Sequence, residues 1–590
     1  MYDNFSVNTP ESLSYFITQS QKIIPEKFNK KIKVAFLSSF TINGLAESLK
    51  VKCSYRDIGC QTFVGGYNQY NQEILNPDSE LKKFNPDLTF LLIDIRSFFG
   101  DFFYNPYNMS IKKRKNFVET KLNELISLVN TFEKNYNSTL IISNLNNISF
   151  SIYGIADQKT DFSLNDMVNH FNNLLKIKYK NNDSVLIYDF SNFVVKYGEN
   201  NVFNYQNYFF GDIKVSLDFL PRLADDLLPF LIAVTGKSKK CIVLDLDNTL
   251  WGGIVGEDGF DGIHLGPQPP GNTFYEFQKY LKALSQRGIL LAINSKNNSS
   301  DALQVISEHP YMVLRKEDFS SIRINWNDKV TNMKEIANEL NIGIESLLFF
   351  DDDPVNRQLI RDTFPLITTP ELPSDPSYYP KILQELPDFS LLKITDEDRN
   401  RKQMYKDQEN RKILENQSNN IDDFLKSLNL KIVIKNASSF TIPRISQLTM
   451  KTNQFNLTTK RYQENEIKNF SHNEQMLVGC AQVSDKFGDN GITGVFIVSK
   501  KINEWYIDTF LLSCRVIGRE IEKAMLNYII NEAKKAGVSR IIAKYIPTEK
   551  NKPIEDFLPR CGFAKENDFW VFDVSKPLKM PPFLDIQVES

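Results

Sequence analysis

The sequence is poor in the residues that support disulfide, zinc or histidine chemistry. Its 590 residues include six cysteines, with no C-x-x-C pair, and only four histidines, which lie far apart. A disulfide framework, a zinc site or a histidine-based catalytic triad is therefore not expected. The scattered cysteines are typical of reduced thiols in a cytoplasm, and we predict a cytoplasmic location.

Long apolar runs and an excess of charge of one sign are also missing. No segment reaches the ~18 apolar residues of a membrane span, and the first thirty residues contain no apolar stretch of signal-peptide length. The net charge is −2 at pH 7, so no bulk attraction to nucleic acid or to anionic lipid is expected. We therefore expect neither a nucleic acid nor a membrane as a partner.

The length and the apolar pattern predict an α/β protein of several domains. Within residues 1–230, the strand-like "KIKVAFLSSF" at 31–40 is followed by alternating helical and apolar stretches. Residues 237–375 repeat this alternation, with strands predicted at "CIVLDLD", "ILLAINS" and "SLLFFDDD". The charged segment 376–430 is expected to be a solvated helical linker. Residues 431–590 are predicted to be rich in strands, with one long helix.

Polar residues follow three predicted strands of the middle region. They are Asp245 and Asp247 after the first strand, Ser295 after the second, Asp351 and Asp352 after a later one, and Lys329 between the last two. Carboxyl ends of parallel strands meet at one edge of a sheet, where ligands bind. Carboxylates from two strands can share Mg²⁺, which also binds phosphate oxygens. The spacing therefore predicts a Mg²⁺-dependent phosphatase site.

This ordered set resembles the haloacid-dehalogenase superfamily of phosphohydrolases. The resemblance implies that Asp245 is the nucleophile and that Asp247 protonates the leaving oxygen and later activates water. It also implies that Thr249 orders the loop. Ser295 and Lys329 would hold the phosphoryl group, and the candidate metal ligands are Asp245, Asp247, Asp351 and Asp352. Which of these bind the metal directly stays open. The short stretch after Asp247 leaves no room for a large cap domain.

Longer phrases look like the FkbH-like family, whose phosphatase domains form haloacid-dehalogenase subfamily IIIC. These phrases are "LDLDNTLWGGIVGEDG", "FFDDDPVNR", "QLTMKTNQFNLTTKRY" and "DTFLLSCRVIGREIE". The resemblance spans nearly the whole chain. It implies a degenerate SGNH-like α/β domain, a capless haloacid-dehalogenase domain with a Rossmann-like sheet, and a C-terminal GNAT-like α+β acyltransferase domain.

The same resemblance implies a substrate and a partner. Characterised relatives take the phosphoglyceryl group of 1,3-bisphosphoglycerate, remove its phosphate, and load the glyceryl group onto the phosphopantetheine thiol of an acyl carrier protein. Two alternatives stay open. One is a phosphatase–acyltransferase that uses another acyl phosphate in surface-glycan or secondary-metabolite assembly. The other is a scaffold whose domains are catalytically inert.

The turn "RVIGRE" follows an apolar strand and opens a long predicted helix. Backbone N–H groups at such a helix N-terminus can bind a pyrophosphate or a phosphopantetheine phosphate. The turn resembles the RxxGxG/A turn of GNAT enzymes, which implies cofactor binding by Arg515, Gly518 and Arg519. Glu520 stands where a small residue is usual, and a plain helix start is the alternative interpretation.

Cys514, directly before this turn, is a candidate acyl carrier. Neighbouring arginines and the helix N-terminus would favour its thiolate, and the alternative is a buried core cysteine. Relatives commonly have a cysteine where this chain has Asn294, so direct transfer to pantetheine also stays open. Residues 1–230 lack the GDS and DxxH blocks of SGNH hydrolases. This region is therefore expected to be a non-hydrolytic docking surface.

Overall fold

A computed structural model describes residues 12–418 and 420–589, without the side chains of Asp396 and Glu409. The described chain divides into two compact units, the first ending at Thr235 and the second beginning at Gly236. Within these ranges, no helix combines the length and apolar character needed to cross a membrane. All six cysteines are free thiols.

The first unit is built on a parallel five-stranded sheet with the order β2-β1-β3-β4-β5. Its strands are β1 (Lys30–Ser38), β2 (Ile58–Val64), β3 (Leu88–Leu92), β4 (Thr139–Ser143) and β5 (Val185–Tyr188). Its helices are α1 (Leu13–Ser20), α2 (Leu45–Ser54), α3 (Tyr70–Leu75), α4 (Glu80–Phe84), α5 (Ile95–Phe99), α6 (Ile111–Asn135), α7 (Leu164–Tyr179), α8 (Phe190–Tyr197), α9 (Glu199–Val202), α10 (Tyr205–Gly211) and α11 (Leu220–Val234). Every residue of β3 and β4 is buried, as expected for a parallel sheet covered on both faces. The predicted α/β fold is confirmed, whereas the SGNH-like assignment stays a prediction.

The second unit begins with a parallel four-stranded sheet of order β8-β7-β6-β9. Its strands are β6 (Cys241–Leu244), β7 (Leu290–Ser295), β8 (Phe319–Ile324) and β9 (Leu347–Phe350). The helices around it are α12 (Val255–Gly262), α13 (Gly271–Gln286), α14 (Ser299–Glu308), α15 (Lys329–Glu339), α16 (Pro354–Thr363) and α17 (Tyr379–Glu385). Only α12 and α13 lie between β6 and β7, so no cap domain follows the first motif in this described stretch.

The same unit continues into a mixed sheet of nine strands. Eight follow the order β16-β17-β15-β14-β13-β12-β10-β18, and β11 pairs with β14. The strands are β10 (Lys431–Asn436), β11 (Phe455–Asn456), β12 (Met476–Asp485), β13 (Gly488–Lys500), β14 (Glu504–Leu512), β15 (Arg540–Ala543), β16 (Ala564–Glu566), β17 (Phe569–Asp573) and β18 (Asp585–Glu589). The pairs β14–β15 and β10–β18 are parallel, and the other pairs are antiparallel.

Seven further helices belong to this region. They are α18 (Asp396–Arg399), α19 (Arg401–Gln417), α20 (Ile421–Ser427), α21 (Ile442–Lys451), α22 (Glu464–Ser471), α23 (Ile521–Lys535) and α24 (Phe557–Arg560). Helix α23 is the long helix predicted after the apolar strand that is now β14. Its apolar face packs into a core that includes strands β10 to β15.

The charged segment 376–430 forms helices, but it is not the solvated linker predicted from its composition. Arg411 of α19 is 2% exposed, and its guanidinium pairs with the buried carboxylate of Asp485, with Nε 2.7 Å from Oδ2. On the other side, Lys412 Nζ donates to the backbone carbonyl of Glu339 at 2.8 Å. The segment therefore packs against both the four-stranded and the nine-stranded parts. Its charges pair with buried groups that are distant in sequence.

Candidate active site

The carboxyl ends of β6, β7 and β9 bring polar residues to one edge of the four-stranded sheet. Strand β6 lies between the other two, and Leu244 is in register with Ile293 and with Phe350. The Asp245 N–H extends this pairing, because it donates to the carbonyl of Phe350 at 3.0 Å. Asp245 therefore lies beside Asp351, as the sequence predicted from parallel strand ends.

Asp245, Asp351 and Asp352 form a cluster that can hold a metal ion. One carboxylate oxygen of each lies within 4.8 Å of the others. Burial, and secondly the charge of Asp245, raise the pKa of both Asp351 and Asp352 to about 6. A hard divalent cation would relieve this crowding of negative charge, and three carboxylate oxygens are ligands that Mg²⁺ prefers. The residues present therefore fit Mg²⁺.

Lys329 stands at the first position of α15 and points its ammonium group into the carboxylate cluster. Nζ lies 2.5 Å from Asp351 Oδ2 and 2.9 Å from Asp245 Oδ1, and the residue is only 2% exposed. Burial alone would lower the pKa of Lys329, but the charges of Asp245 and Asp351 outweigh it and raise the pKa. The side chain is thus a fixed cation that can neutralise phosphoryl oxygens beside Asp245.

Asp247 lies outside the three-carboxylate cluster, which differs from its predicted role as a metal ligand. Its Oδ1 accepts hydrogen bonds from Trp251 Nε1 at 2.9 Å and from the Val255 N–H at 3.1 Å. Its Oδ2 accepts from Asn297 Nδ2 at 2.8 Å. Burial raises the pKa of Asp247, and these hydrogen bonds offset only part of the increase. A carboxyl that retains a proton more readily suits a general acid.

Thr249 and Ser295 are both placed at this edge. Thr249 Oγ1 donates to Asp352 Oδ1 at 3.3 Å and accepts from the Asp352 N–H at 3.2 Å, so it ties the β6 loop to the β9 loop. Ser295 is the last residue of β7 and is 2% exposed. Its hydroxyl has no hydrogen-bond partner among residues 12–418 and 420–589. It is therefore available to bind a phosphoryl oxygen.

Several residues that support the site were not predicted from the sequence as functional residues. Asn294 Nδ2 donates to the Lys329 carbonyl at 3.0 Å and so fixes the start of α15. Arg357 Nη1 donates to the carbonyls of Asp351 and Asp352 at 2.9 and 2.6 Å. Asn297 and the Trp251 indole orient Asp247. Two of these residues carried a signal in the sequence: Asn294 directly precedes the motif serine, and Asn297 follows it by two residues.

The structure does not bring Cys514 to the aspartates. Its thiol donates to the carbonyl of Asn341 at 3.4 Å, and Asn341 Nδ2 donates back to the Cys514 carbonyl at 3.0 Å. Cys514 also acts electrostatically on Lys240, which directly precedes β6, and on Tyr405 and Arg515. Asp245 follows the opposite end of the same strand, five residues or ~17 Å of strand from Lys240. Cys514 and the carboxylate cluster therefore lie at opposite edges of the four-stranded sheet.

The 515–520 turn lies between β14 and α23, as predicted, but its arginines already have partners. Arg519 Nη1 lies 3.2 Å from Asp485 Oδ2, and its Nη2 donates to Gln408 Oε1 at 2.8 Å. Arg515 Nη1 lies 2.5 Å from the sulfur of Met404. Gly518 is exposed with φ +83°. A phosphate at this turn would therefore find exposed backbone at Gly518, whereas both guanidinium groups would have to leave contacts with the core or with α19.

In the first unit, the carboxyl edge of the sheet carries a closed polar network. Lys214 Nζ lies 2.6 Å from Asp94 Oδ1 and donates to Asn146 Oδ1 at 2.8 Å. Ser39 Oγ accepts from the Asp94 N–H at 2.8 Å. This serine hydroxyl is engaged in holding a loop, and the absence of hydrolase motifs noted in the sequence is consistent with that role.

Two comparisons bear on this fold and site. Residues 33–232 match the family described as FkbH, N-terminal domain. The chain is also similar to the solved N-terminal part of protein BF1531 from Bacteroides fragilis, which contains a phosphatase domain complexed with Mg. That similarity has 29% identity and a TM-score of 0.57, and it covers 65% of this chain and 99% of that chain. No curated protein matches.

Two further solved structures give weaker similarities. The ribosomal-protein-S18-alanine N-acetyltransferase of Escherichia coli is 12% identical, with a TM-score of 0.21, and the match covers 25% of this chain and 96% of that chain. Rv2747 from Mycobacterium tuberculosis, solved with CoA and NLQ, is 16% identical, with a TM-score of 0.19. That match covers 23% of this chain and 72% of the Rv2747 chain.

The sheet order, the strand-end aspartates and the likeness to BF1531 define a phosphatase-like domain of the haloacid-dehalogenase type. The stretch that matches the FkbH N-terminal domain, residues 33–232, precedes it in the chain. The resemblance to the FkbH-like family is therefore confirmed. The cofactor predicted from the sequence, Mg²⁺, is the ion present in the structure of BF1531.

Proposed function

We propose that this protein is a Mg²⁺-dependent phosphatase that works through an aspartyl phosphate. The observation that carries the proposal is the cluster of Asp245, Asp351 and Asp352 with the Lys329 ammonium within 2.9 Å of two of them. Asp351 and Asp352 would hold the ion together with Asp245. When bound, Mg²⁺ neutralises phosphoryl oxygens and holds them near the nucleophile.

The residues of the chain divide the remaining work. The carboxylate oxygen of Asp245 that does not hold the ion attacks phosphorus, while Lys329 and the Ser295 hydroxyl bind the phosphoryl oxygens. The Asp247 carboxyl, whose pKa is raised, gives its proton to the leaving oxygen. The resulting Asp247 carboxylate then takes a proton from water as that water attacks the aspartyl phosphate. Trp251 and Asn297 keep Asp247 oriented through both steps.

The proposed substrate is the phosphoglyceryl group of 1,3-bisphosphoglycerate, and the proposed acceptor is the phosphopantetheine thiol of an acyl carrier protein. This finer proposal is supported by the FkbH N-terminal domain and by the sequence phrases quoted above. The absence of a cap over the β6 loop supports it as well, because an open site admits a substrate tethered to a protein. The C-terminal part is proposed to be GNAT-like and to perform the acyl transfer.

One experiment tests both the phosphatase activity and the loading of a carrier protein. The enzyme, Mg²⁺ and freshly generated 1,3-bisphosphoglycerate are incubated with candidate holo-carriers, and the carriers are weighed by mass spectrometry while released phosphate is measured. Phosphate release together with a glyceryl mass gain supports the full proposal. Phosphate release without any mass gain would support the phosphatase activity and count against loading of these carriers. No phosphate release from any acyl phosphate would favour an inert scaffold.

A further inference from the structure

Three asparagine side chains form a hydrogen-bonded network next to the carboxyl ends of β7 and β8. They are Asn294 on β7, Asn325 directly after β8, and Asn332 on α15. We call them the amide relay. Asn332 Nδ2 donates to Asn294 Oδ1 and to Asn325 Oδ1, both at 3.0 Å. Asn325 Nδ2 donates back to Asn332 Oδ1 at 3.3 Å. Both N–H groups of the Asn332 amide are thus used, and this side chain joins a strand, a loop and a helix.

Each end of the amide relay is attached to a residue that we propose to bind the phosphoryl group. Asn294 Nδ2 donates to the carbonyl of Lys329 at 3.0 Å, and Lys329 Nζ lies 2.9 Å from Asp245 Oδ1. At the other end, the Asn325 N–H donates to the carbonyl of Ser295 at 3.2 Å. Lys329 and Ser295 belong to different elements of the fold. The relay therefore joins them through an unbroken series of hydrogen bonds.

The amide relay is buried among apolar residues. Asn294 and Asn332 are each 0% exposed, and the buried face of α15 that carries Asn332 also carries Met333 and Ile336. A buried amide costs free energy unless its polar atoms are paired, and a fully paired network makes the elements that it joins rigid. An apolar side chain of similar size would fill the same space without needing aligned partners. The relay therefore indicates a requirement for position as well as for stability.

We propose that the three members of the amide relay are positioning residues for phosphoryl transfer, which act by holding Lys329 at a fixed place relative to Ser295. The Lys329 side chain is long and flexible. Its ammonium group can meet both Asp245 and a bound phosphoryl group only if the start of α15 does not move. A misplacement of ~1 Å in such a group can cost ~10²-fold in rate. This inference rests on the proposed function, because it assigns the relay to the phosphoryl site.

The test measures phosphoryl binding in the full-length protein without relying on turnover. Beryllium fluoride with Mg²⁺ is the probe, because it forms an adduct on a carboxylate that mimics an aspartyl phosphate. Its affinity is taken from the rise in melting temperature at a fixed Mg²⁺ concentration. We expect Asn332→Leu to weaken this affinity at least tenfold. The same variant should slow phosphate release from freshly generated 1,3-bisphosphoglycerate by up to ~10²-fold.

A double-mutant cycle separates a positioning role from a merely structural one. The relay is proposed to act by placing the Lys329 ammonium group. Once Lys329→Met has removed that group, Asn332→Leu should therefore cause little further loss of affinity for beryllium fluoride. An equal fold-loss from Asn332→Leu with and without Lys329 would overturn the proposal, because the relay would then act independently of the ammonium group.

Asn551→Leu is the matched control for the loss of a buried amide. Asn551 is also 0% exposed, and its Nδ2 donates to the carbonyls of Asn456 and Ile546, both at 2.9 Å. This control should lower the melting temperature but leave the affinity for beryllium fluoride unchanged. Asn325→Ala is a milder relay variant, for the case in which Asn332→Leu does not fold. It changes a half-buried loop residue and should show a smaller loss of affinity with the same dependence on Lys329.

Failure of the relay and failure of the proposed function give different results. If the wild type neither binds beryllium fluoride nor releases phosphate, the proposed function is wrong, and the role of the relay is lost with it. If the wild type does both and Lys329→Met weakens them, while a folded relay variant keeps wild-type affinity, only the relay is wrong. Wild-type affinity in Lys329→Met would overturn both the assigned role of Lys329 and the relay that is proposed to place it.

Discussion

Asn297 Nδ2 donates a 2.8 Å hydrogen bond to Asp247 Oδ2, while Trp251 Nε1 and the Val255 N–H hold the other oxygen of the same carboxylate. Asp247, the proposed general acid, is thus fixed from two directions before any substrate arrives. Its position depends on residues from the loops after β6 and β7. Because both loops leave the same sheet edge, the orientation of Asp247 is a property of the fold as well as of the motif.

Asp247→Asn is expected to uncouple the two chemical steps. Attack by Asp245 on an acyl phosphate needs little help from an acid, because the leaving group is good. Hydrolysis of the aspartyl phosphate needs a general base, and loss of that base should slow hydrolysis by roughly 10²–10⁴-fold. Rapid quench with ³²P-labelled substrate should therefore trap more phosphoenzyme than in the wild type. A phosphoenzyme level no higher than in the wild type would contradict this division of labour.

Asp245→Asn should abolish Mg²⁺-dependent phosphate release, because an amide oxygen neither attacks phosphorus nor balances the charge of Lys329. Asp353→Asn is the matched control. Asp353 caps α16 by accepting from the Val355 N–H at 2.8 Å, and asparagine caps helices equally well. The control should keep its activity in a malachite-green phosphate assay. If Asp245→Asn released phosphate as fast as the wild type does, Asp245 would not be the nucleophile.

Cys514→Ala should keep phosphate release, because the thiol is remote from the aspartates. If the thiol carries the acyl group, the variant fails to load a holo-carrier, and a labelled glyceryl thioester is trapped only on the wild type. Asn341→Ala removes the amide that donates to the Cys514 carbonyl and serves as a structural control. Complete carrier loading by Cys514→Ala would instead favour direct transfer to pantetheine.

Gly288→Ala is expected to destabilise the second unit. Gly288 has φ +101°, and an added Cβ would lie 1.7 Å from the carbonyl oxygen of Asp398. The chain movement that relieves this clash should lower the free energy of unfolding by about 3 kcal/mol or more. This adds to the roughly 1–2 kcal/mol that an alanine costs in the left-handed backbone region. Gly537→Ala is the control, since φ there is +73° with nothing within 4 Å of the added atom. Urea unfolding compares the two, and equal losses would show that α18 is not tightly docked.

Lys451→Met should change how stability depends on pH. The pKa of Lys451 is about 7 in the folded protein, against an ordinary value of 10.5. Between these pH values the unfolded chain holds a proton that the folded protein lacks, so the free energy of unfolding of the wild type rises with pH. In phosphate-free buffer, the difference in the free energy of unfolding between the wild type and the variant should therefore narrow from pH 7 towards pH 10. A difference that is constant over this range would contradict the lowered pKa.

The strand-end aspartates could be predicted from the sequence because they are adjacent to strands with a simple apolar pattern. Parallel pairing then brings Asp245 and Asp351 together wherever the intervening chain runs. The partners of Asp247 could not be predicted in this way, because Trp251 and Asn297 reach it through loop conformations. The edge strand β8 was also missed, because half of its six residues are only partly buried and its sequence has no continuous apolar run.

The linker shows where composition misleads. Its density of charge is typical of a solvated helix, yet Arg411 finds Asp485 74 positions away and both are buried. A pattern of charges does not reveal partners at that separation. The 515–520 turn is a similar case. The motif predicted its position between a strand and a helix, but it did not reveal that Gln408 and Asp485 bind the Arg519 guanidinium.

The separation of Cys514 from Asp245 by the length of one strand has a kinetic consequence. If both residues act on the same molecule of substrate, no single pose can serve them, and the intermediate must leave one edge of the sheet before it reaches the other. An intermediate that travels on a carrier arm stays bound through this transfer, whereas a free one mixes with the surrounding pool. Dilution of a labelled reaction by unlabelled intermediate would then measure how often the protein releases the intermediate between the two steps.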